Sequence, residues 1–275
     1  MPEGPEVRIA ADKIERAIGQ APLVSRTFAH PSLQVLVDQL DDSTQLSSID
    51  TYGKAFVLNF SNDVSLYVHL QLYGRWQTGT LKSFRPSNRS LRFKLCTETH
   101  YAALYSATDL DILRSDTVPQ HPFIRKLGPD ILRPGYGTAH ISRRLNSLKF
   151  ARRRLGGLMM DQSVFAGIGN YLRSEILFRA QLHHSRTLGS LEDAERTALA
   201  RMIHDTTHQS YHTKGITLSP DYVAVAKSQG LKRRQYRHFV FDREHESCWV
   251  CQTEIQKSMV AGRRLYWCST CQSES

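Results

Sequence analysis

Met1-Pro2-Glu3-Gly4-Pro5-Glu6 opens the chain. Once Met1 is removed, the ring nitrogen of Pro2 becomes a free secondary amine. Such an amine attacks an aldehyde-level carbon and gives an iminium ion, which keeps its charge because the nitrogen has no second proton to lose. An α-amine titrates at about 7.7–8.0, so a useful fraction is unprotonated near neutral pH. Glu3 and Glu6 lie beside it. A nucleophile flanked by acids suggests an enzyme whose first residue does covalent chemistry. Taken alone, the same stretch also reads as an ordinary start followed by a helix. Val7, Ala10, Ala11, Ile14, Ala17 and Ile18 keep helical spacing over 5–19, and Pro5 suits a first turn.

Beyond this helix the pattern changes. From about residue 22 to 106, short apolar runs such as Ala55–Phe60, Ser65–His69 and Leu91–Cys96 alternate with turn residues. This spacing predicts a β-sandwich or barrel. Arg133-Pro134-Gly135-Tyr136-Gly137 reads as a linker. Helical patterns follow at roughly 138–148, 153–161, 170–181 and 191–212. The segment 216–236 has no clean period and is expected to be a mobile loop.

The chain has 275 residues, 40% of them hydrophobic, enough for a real core. No apolar run is long enough to span a membrane. A soluble intracellular protein is expected. The formal charge is +10. Residues 1–132 hold 14 basic and 14 acidic residues, while 133–275 hold 22 and 12, so the excess lies in the second half. That asymmetry suggests a polyanionic partner, nucleic acid first.

Four of the five cysteines form Cys248-x2-Cys251 and Cys268-x2-Cys271, separated by 16 residues. This spacing suits one tetrahedral zinc held by four thiolates. Two disulfides are the alternative, which an intracellular setting disfavours. The chain between the pairs must fold as a hairpin, with Arg263 and Arg264 projecting from its tip.

Other residues admit a chemical and a plainer reading. Lys54 follows Gly53 at a strand start, presented from a turn or simply solvated. Gln71-Leu72-Tyr73 could enter a duplex from a loop, or Leu72 and Tyr73 could be core. Gly167-Ile168-Gly169-Asn170 could hold a phosphate at a helix start, with Asn170 as cap, or be a bare helical corner. Arg143, Arg144, Lys149, Arg152, Arg153 and Arg154 could neutralise phosphates or form a solvated face.

Together these motifs resemble the formamidopyrimidine-DNA glycosylase/endonuclease VIII family over the whole chain. The Pro2–Glu6 start, Gly53-Lys54, the Gly-Ile-Gly-Asn turn and the terminal cysteine pairs carry the resemblance. It implies a multi-domain α and β fold: a catalytic N-terminal helix plus β-sandwich (1–132), a helix–two-turn–helix DNA-binding domain (133–237) and a zinc finger (238–275). It implies a bifunctional DNA glycosylase/AP lyase of base-excision repair. Pro2 matches the Schiff-base nucleophile, Glu3 the general acid, Glu6 a supporting acid, and Lys54 a proton-donating, phosphate-contacting lysine. Asn170 and Arg263 match groups that grip phosphates, and Arg263 is also linked to δ-elimination. One structural Zn2+ is implied, with no catalytic metal or organic cofactor. The implied partner is double-stranded DNA with oxidised bases or abasic sites. A cytoplasmic, nucleoid-associated monomer is expected.

Gln71-Leu72-Tyr73 resembles the void-filling trio of the endonuclease VIII branch, which implies oxidised pyrimidines as main substrates. Two departures stand beside this. Lys126 aligns with an arginine of that branch, and a lysine lacks the bidentate geometry. The segment from Gly215 to Tyr236 is longer than that branch implies and is similar to a loop that covers oxidised purines. An 8-oxoguanine/formamidopyrimidine-preferring glycosylase is therefore the alternative within the family. A non-catalytic damage-binding protein is the alternative outside enzymology.

Overall fold

A computed structural model describes residues 2–273. By contacts the chain divides into two units, 1–126 and 127–275. Among the described residues, no helix is long and apolar enough to cross a membrane.

The first unit begins with helix α1 (Gly4–Ile18), which buries Val7, Ala11, Ile14 and Ile18 on one stripe. Strand β1 (Ser25–Phe28) and the one-turn helix α2 (Leu36–Gln39) follow. Seven more strands complete the unit: β2 (Leu46–Tyr52), β3 (Ala55–Phe60), β4 (Val64–His69), β5 (Arg75–Thr80), β6 (Leu91–Cys96), β7 (His100–Tyr105) and β8 (Asp109–Arg114). They form two antiparallel four-stranded sheets, ordered β2-β3-β4-β8 and β1-β6-β7-β5.

The period-2 geometry of a strand sends alternate residues to opposite faces. Phe56 and Leu58 of β3, Leu66 and Val68 of β4, and Ala102 and Leu104 of β7 join the α1 stripe in the main core. The opposite faces are also covered. Ala55, Val57 and Tyr67 pack with Val118 and Ile124, while Tyr101, Ala103 and Tyr105 pack with Phe84. This double burial explains why Ala55–Phe60 reads as an almost unbroken apolar run.

In the second unit, α3 (Thr138–Leu145), α4 (Leu155–Leu158), α5 (Asn170–Arg179) and α6 (Asp193–His212) fall within the four expected helical segments. α5 is the hub, buried from Tyr171 through Phe178. Its apolar residues share a core with Ile141, Leu155, Val164, Leu199 and Ile203. The segment 216–236 differs from the loop expectation, because it contains helix α7 (Pro220–Ser228). Ser219 stands at its N-cap position and Pro220 in its first turn, both ordinary helix-start signals. Tyr222, Val223 and Ala226 of α7 pack against Phe239 and Trp249, which explains why an aperiodic stretch is helical. The chain ends in the hairpin β9 (Ile255–Val260) and β10 (Arg263–Cys268).

Candidate active site and nucleic-acid interface

Each unit carries its own set of candidate functional side chains. In the first, Pro2 lies in the extended chain just ahead of α1, and Glu3 is the N-cap. Glu3 and Glu6 form a reciprocal capping box, and the Glu3 amide donates to Glu6 Oε2 at 3.2 Å. Each thus satisfies an amide that the first helical turn leaves unpaired. The box sets the direction in which α1 starts and holds both carboxylates in the turn that follows Pro2. Glu3 is only 5% exposed. Arg8 anchors the rest of the helix through Asp12, Glu15 and the Ile49 carbonyl of β2.

Lys54 occupies the second position of the two-residue β2–β3 turn, where Tyr52 pairs with Ala55. Gly53 takes φ +61° there, a conformation that glycine adopts without strain. Lys54 is 6% exposed, so the solvated-turn reading is excluded. Its charge reaches His69 at the end of β4. Burial is the main force holding His69 below its ordinary pKa; Asp109 opposes this and Lys54 adds to it.

The loop from β4 to β5 crosses between the two sheets. At its tip, Leu72 and Tyr73 are 68% and 70% exposed, so they are not core residues. Gln71 is strapped down: its amide donates to His69 Nδ1 at 3.1 Å and its side chain to Asp109 Oδ2 at 3.0 Å. The Gly74 amide closes the turn onto the Leu70 carbonyl, and a Cβ at Gly74 would lie 2.6 Å from that oxygen. His69 and Asp109 were not singled out from sequence; their pairing across β4 and β8 is a register fact. Nearby, His121 Nε2 donates to Asp111 Oδ2 at 2.9 Å while its Nδ1 accepts from the Phe123 amide, and the ring stacks on Tyr67. Lys126 ends a short helical turn (Ile124–Lys126) and is exposed, as is Arg125.

In the second unit, Gly167 has φ +94°, and Gly169, not Asn170, is the N-cap of α5. Asn170 is the first helical residue, so its side chain is not used as a cap. Its Oδ1 accepts instead from Arg173 Nη2 at 2.7 Å. Arg173 is fully buried and was missed in the sequence reading. It donates to the carbonyls of Gly156 (3.1 Å), Val260 (3.2 Å) and Arg264 (3.0 Å). One guanidinium therefore ties the start of α5 to the β9–β10 tip and brings Asn170 and Arg263 into one neighbourhood. Ala261 and Gly262, at φ +51° and +71°, make the tight turn before the exposed Arg263 and Arg264.

All four cysteine sulfurs lie within 4.8 Å of one another. Cys251 and Cys268 are 3.3 Å apart and Cys248 and Cys271 3.9 Å apart, too far for disulfide bonds. Zinc–sulfur bonds of about 2.3 Å in a tetrahedron separate sulfurs by roughly 3.8 Å, so the cluster can hold such an ion. The Val250 amide, 3.4 Å from Cys248 Sγ, adds a donor to that sulfur.

Two family models match the chain: the formamidopyrimidine-DNA glycosylase N-terminal domain over residues 1–108 and the H2TH domain of the same enzymes over 127–221. Endonuclease 8 of Klebsiella pneumoniae subsp. pneumoniae is 41% identical over 272 residues, covering 99% of this chain and all of that protein. Endonuclease 8 of Shigella sonnei is 39% identical with the same coverage. Among solved structures, Lactococcus lactis Fpg (MutM) with N7-benzyl-Fapy-dG DNA matches with a TM-score of 0.79 at 21% identity, covering 99% of this chain and 100% of that one. The same enzyme with DNA containing an oxidised pyrimidine gives 0.78 at 22%, with the same coverage. The helix, β-sandwich, helix–two-turn–helix and cysteine-finger parts define a DNA glycosylase fold. The chain belongs to the formamidopyrimidine-DNA glycosylase/endonuclease VIII family.

Proposed function

We propose that this DNA glycosylase/AP lyase of base-excision repair works through the amine of Pro2, exposed once Met1, outside the described residues, has been removed. The nitrogen attacks C1′ of a flipped nucleotide, because C1′ is shielded within the base stack. The damaged base leaves with the electron pair of the glycosidic bond. Glu3 protonates the opening sugar ring oxygen, and Glu6 supports the site as a second acid. The iminium at C1′ acidifies the C2′ proton; its loss expels the 3′ phosphate. A second elimination expels the 5′ phosphate, with Arg263 assisting. Lys54 donates a proton and contacts phosphate, while Asn170 and Lys126 grip the backbone. Gln71, Leu72 and Tyr73 fill the space left by the flipped base. One structural Zn2+ on the four cysteines holds the finger, and no reaction step uses a metal.

The observation that carries this reading is the Glu3–Glu6 capping box, which fixes both carboxylates in the helical turn directly after Pro2. Borohydride reduction tests it. Wild-type protein should be trapped covalently on an abasic duplex, and Pro2→Gly should lose most of that product; equal trapping by the variant would remove Pro2 from the role.

Oxidised pyrimidines are the proposed main substrates. The full-length identity to endonuclease 8 proteins and the exposed Gln71-Leu72-Tyr73 tip support this. The docked α7 supports it too, because its apolar face is engaged by Phe239 and Trp249. Excision rates on one duplex carrying thymine glycol, dihydrouracil or 8-oxoguanine decide the matter; equal rates on 8-oxoguanine opposite cytosine would overturn it. The proposed organisation is 1–132, 133–237 and 238–275. The proposed setting is a cytoplasmic monomer on nucleoid DNA.

A further inference from the structure

His204, His208 and His212 recur every four residues along α6, which puts them on one face. Ring centroids of His204 and His208 are 4.2 Å apart with planes inclined by 30°; those of His208 and His212 are 6.3 Å apart. None of these residues takes part in the mechanism above. We propose that this ladder is a second metal site, chelating a borderline divalent cation such as Ni2+ or Zn2+ through His204 and His208.

Two histidines at i and i+4 of a helix can bind one ion from the same face. A useful imidazole ligand must present one nitrogen lone pair outward, with its other nitrogen held by an acceptor. His204 meets this condition. Its Nδ1 lies 2.9 Å from Asp205 Oδ1, and a carboxylate accepts, so the proton sits on Nδ1 and the lone pair on Nε2. The His208 ring packs against this oriented His204 ring, so the two are held together on one face of the helix.

Zn–N and similar bonds of about 2.0–2.1 Å bring both rings within reach of one ion. His212 is exposed at the next turn and can supply a third nitrogen by a rotamer change. Among the described residues, only the cysteine cluster has three or more donors already converged. The ladder is accordingly an open, labile site, with water completing the coordination. Imidazole rather than thiolate donors suit Ni2+, Cu2+ and Zn2+.

The test is calorimetric titration of the full-length, zinc-loaded chain with NiCl2, while elemental analysis follows the zinc. One Ni2+ should bind per chain with zinc content unchanged, and the melting temperature should rise with nickel concentration. His204→Ala or His208→Ala should weaken binding at least about tenfold. Asp205→Asn leaves both imidazoles in place and should still weaken it by about 10–100-fold, because the tautomer is no longer fixed. His140→Ala, on another helix, should change nothing. Alanine is the best helix former, so α6 survives these changes; unaltered zinc content and circular dichroism confirm it. Absence of saturable nickel binding, unchanged binding in the His204→Ala/His208→Ala double variant, or displacement of the zinc would each overturn the site.

Discussion

Two helix starts in this protein are built in opposite ways. α1 begins with Glu3 and Glu6, whose carboxylates cap the first turn. α5 begins with Gly169 and Asn170 and has no acid in its first turn. Every helix has a partial positive charge at its N-terminus. At α1 the chain supplies its own anions, which suits a nitrogen that becomes cationic. At α5 the chain withholds them, and Arg173 adds a buried positive charge one turn in, which suits an incoming phosphate. In the proposed mechanism the same backbone dipole serves a covalent cation in one case and an external anion in the other.

Glu3→Gln breaks the acidic side of this contrast most severely. It keeps size and polarity but removes the acid, so single-turnover base excision should fall by about 10²–10⁴-fold while DNA affinity changes little. A parallel loss of binding would show that Glu3 is structural. Arg173→Met tests the other helix start. It strips donors from Asn170 and four backbone carbonyls in the buried interior, which should cost about 3 kcal/mol in denaturant unfolding.

A smaller effect comes from pH. Burial, with Arg237, Arg233 and Arg243 adding to it, pushes His238 down to about 3. His238 packs on Tyr171 and hydrogen-bonds Thr217 beside α5. The folded state holds this ring neutral, whereas the unfolded chain protonates it near 6.5. Its contribution is therefore complete above about pH 6.5 and is lost as pH falls toward 3. Urea midpoints measured across that window should decline less steeply in His238→Gln. Leu72→Ala should be the mildest change for the fold, within about 0.5 kcal/mol, because the side chain is exposed. Its lesion-containing DNA complex should nonetheless weaken, which separates a contact residue from a packing one.

Local signals made much of this molecule legible. The α1 stripe, the Gly53-Lys54 turn and the paired cysteines each announce themselves within a few residues. What stayed hidden depends on distant partners. Arg173 and Glu175 look like solvent-facing charges in sequence, yet both are fully buried. The carbonyls that satisfy Arg173 come partly from a hairpin 87 to 91 positions later. α7 lacks a clean period because few of its residues face the core, and Phe239 and Trp249 complete it. Leu72 and Tyr73 show the converse. Apolar character alone suggests interior, and only the strapped turn keeps them outside.

Glu175 carries a last consequence. Its carboxylate accepts from the amides of Phe239, Val240 and Phe241 and from the Thr217 hydroxyl, while Arg173 on the same helix holds the hairpin tip. The bend and turn that lead into the finger are thereby locked to α5 without any β-ladder. Those three amides should exchange with deuterium only when α5 itself opens, on the slowest timescale of the second unit. Helix and finger then behave as one foldon, protected and released together.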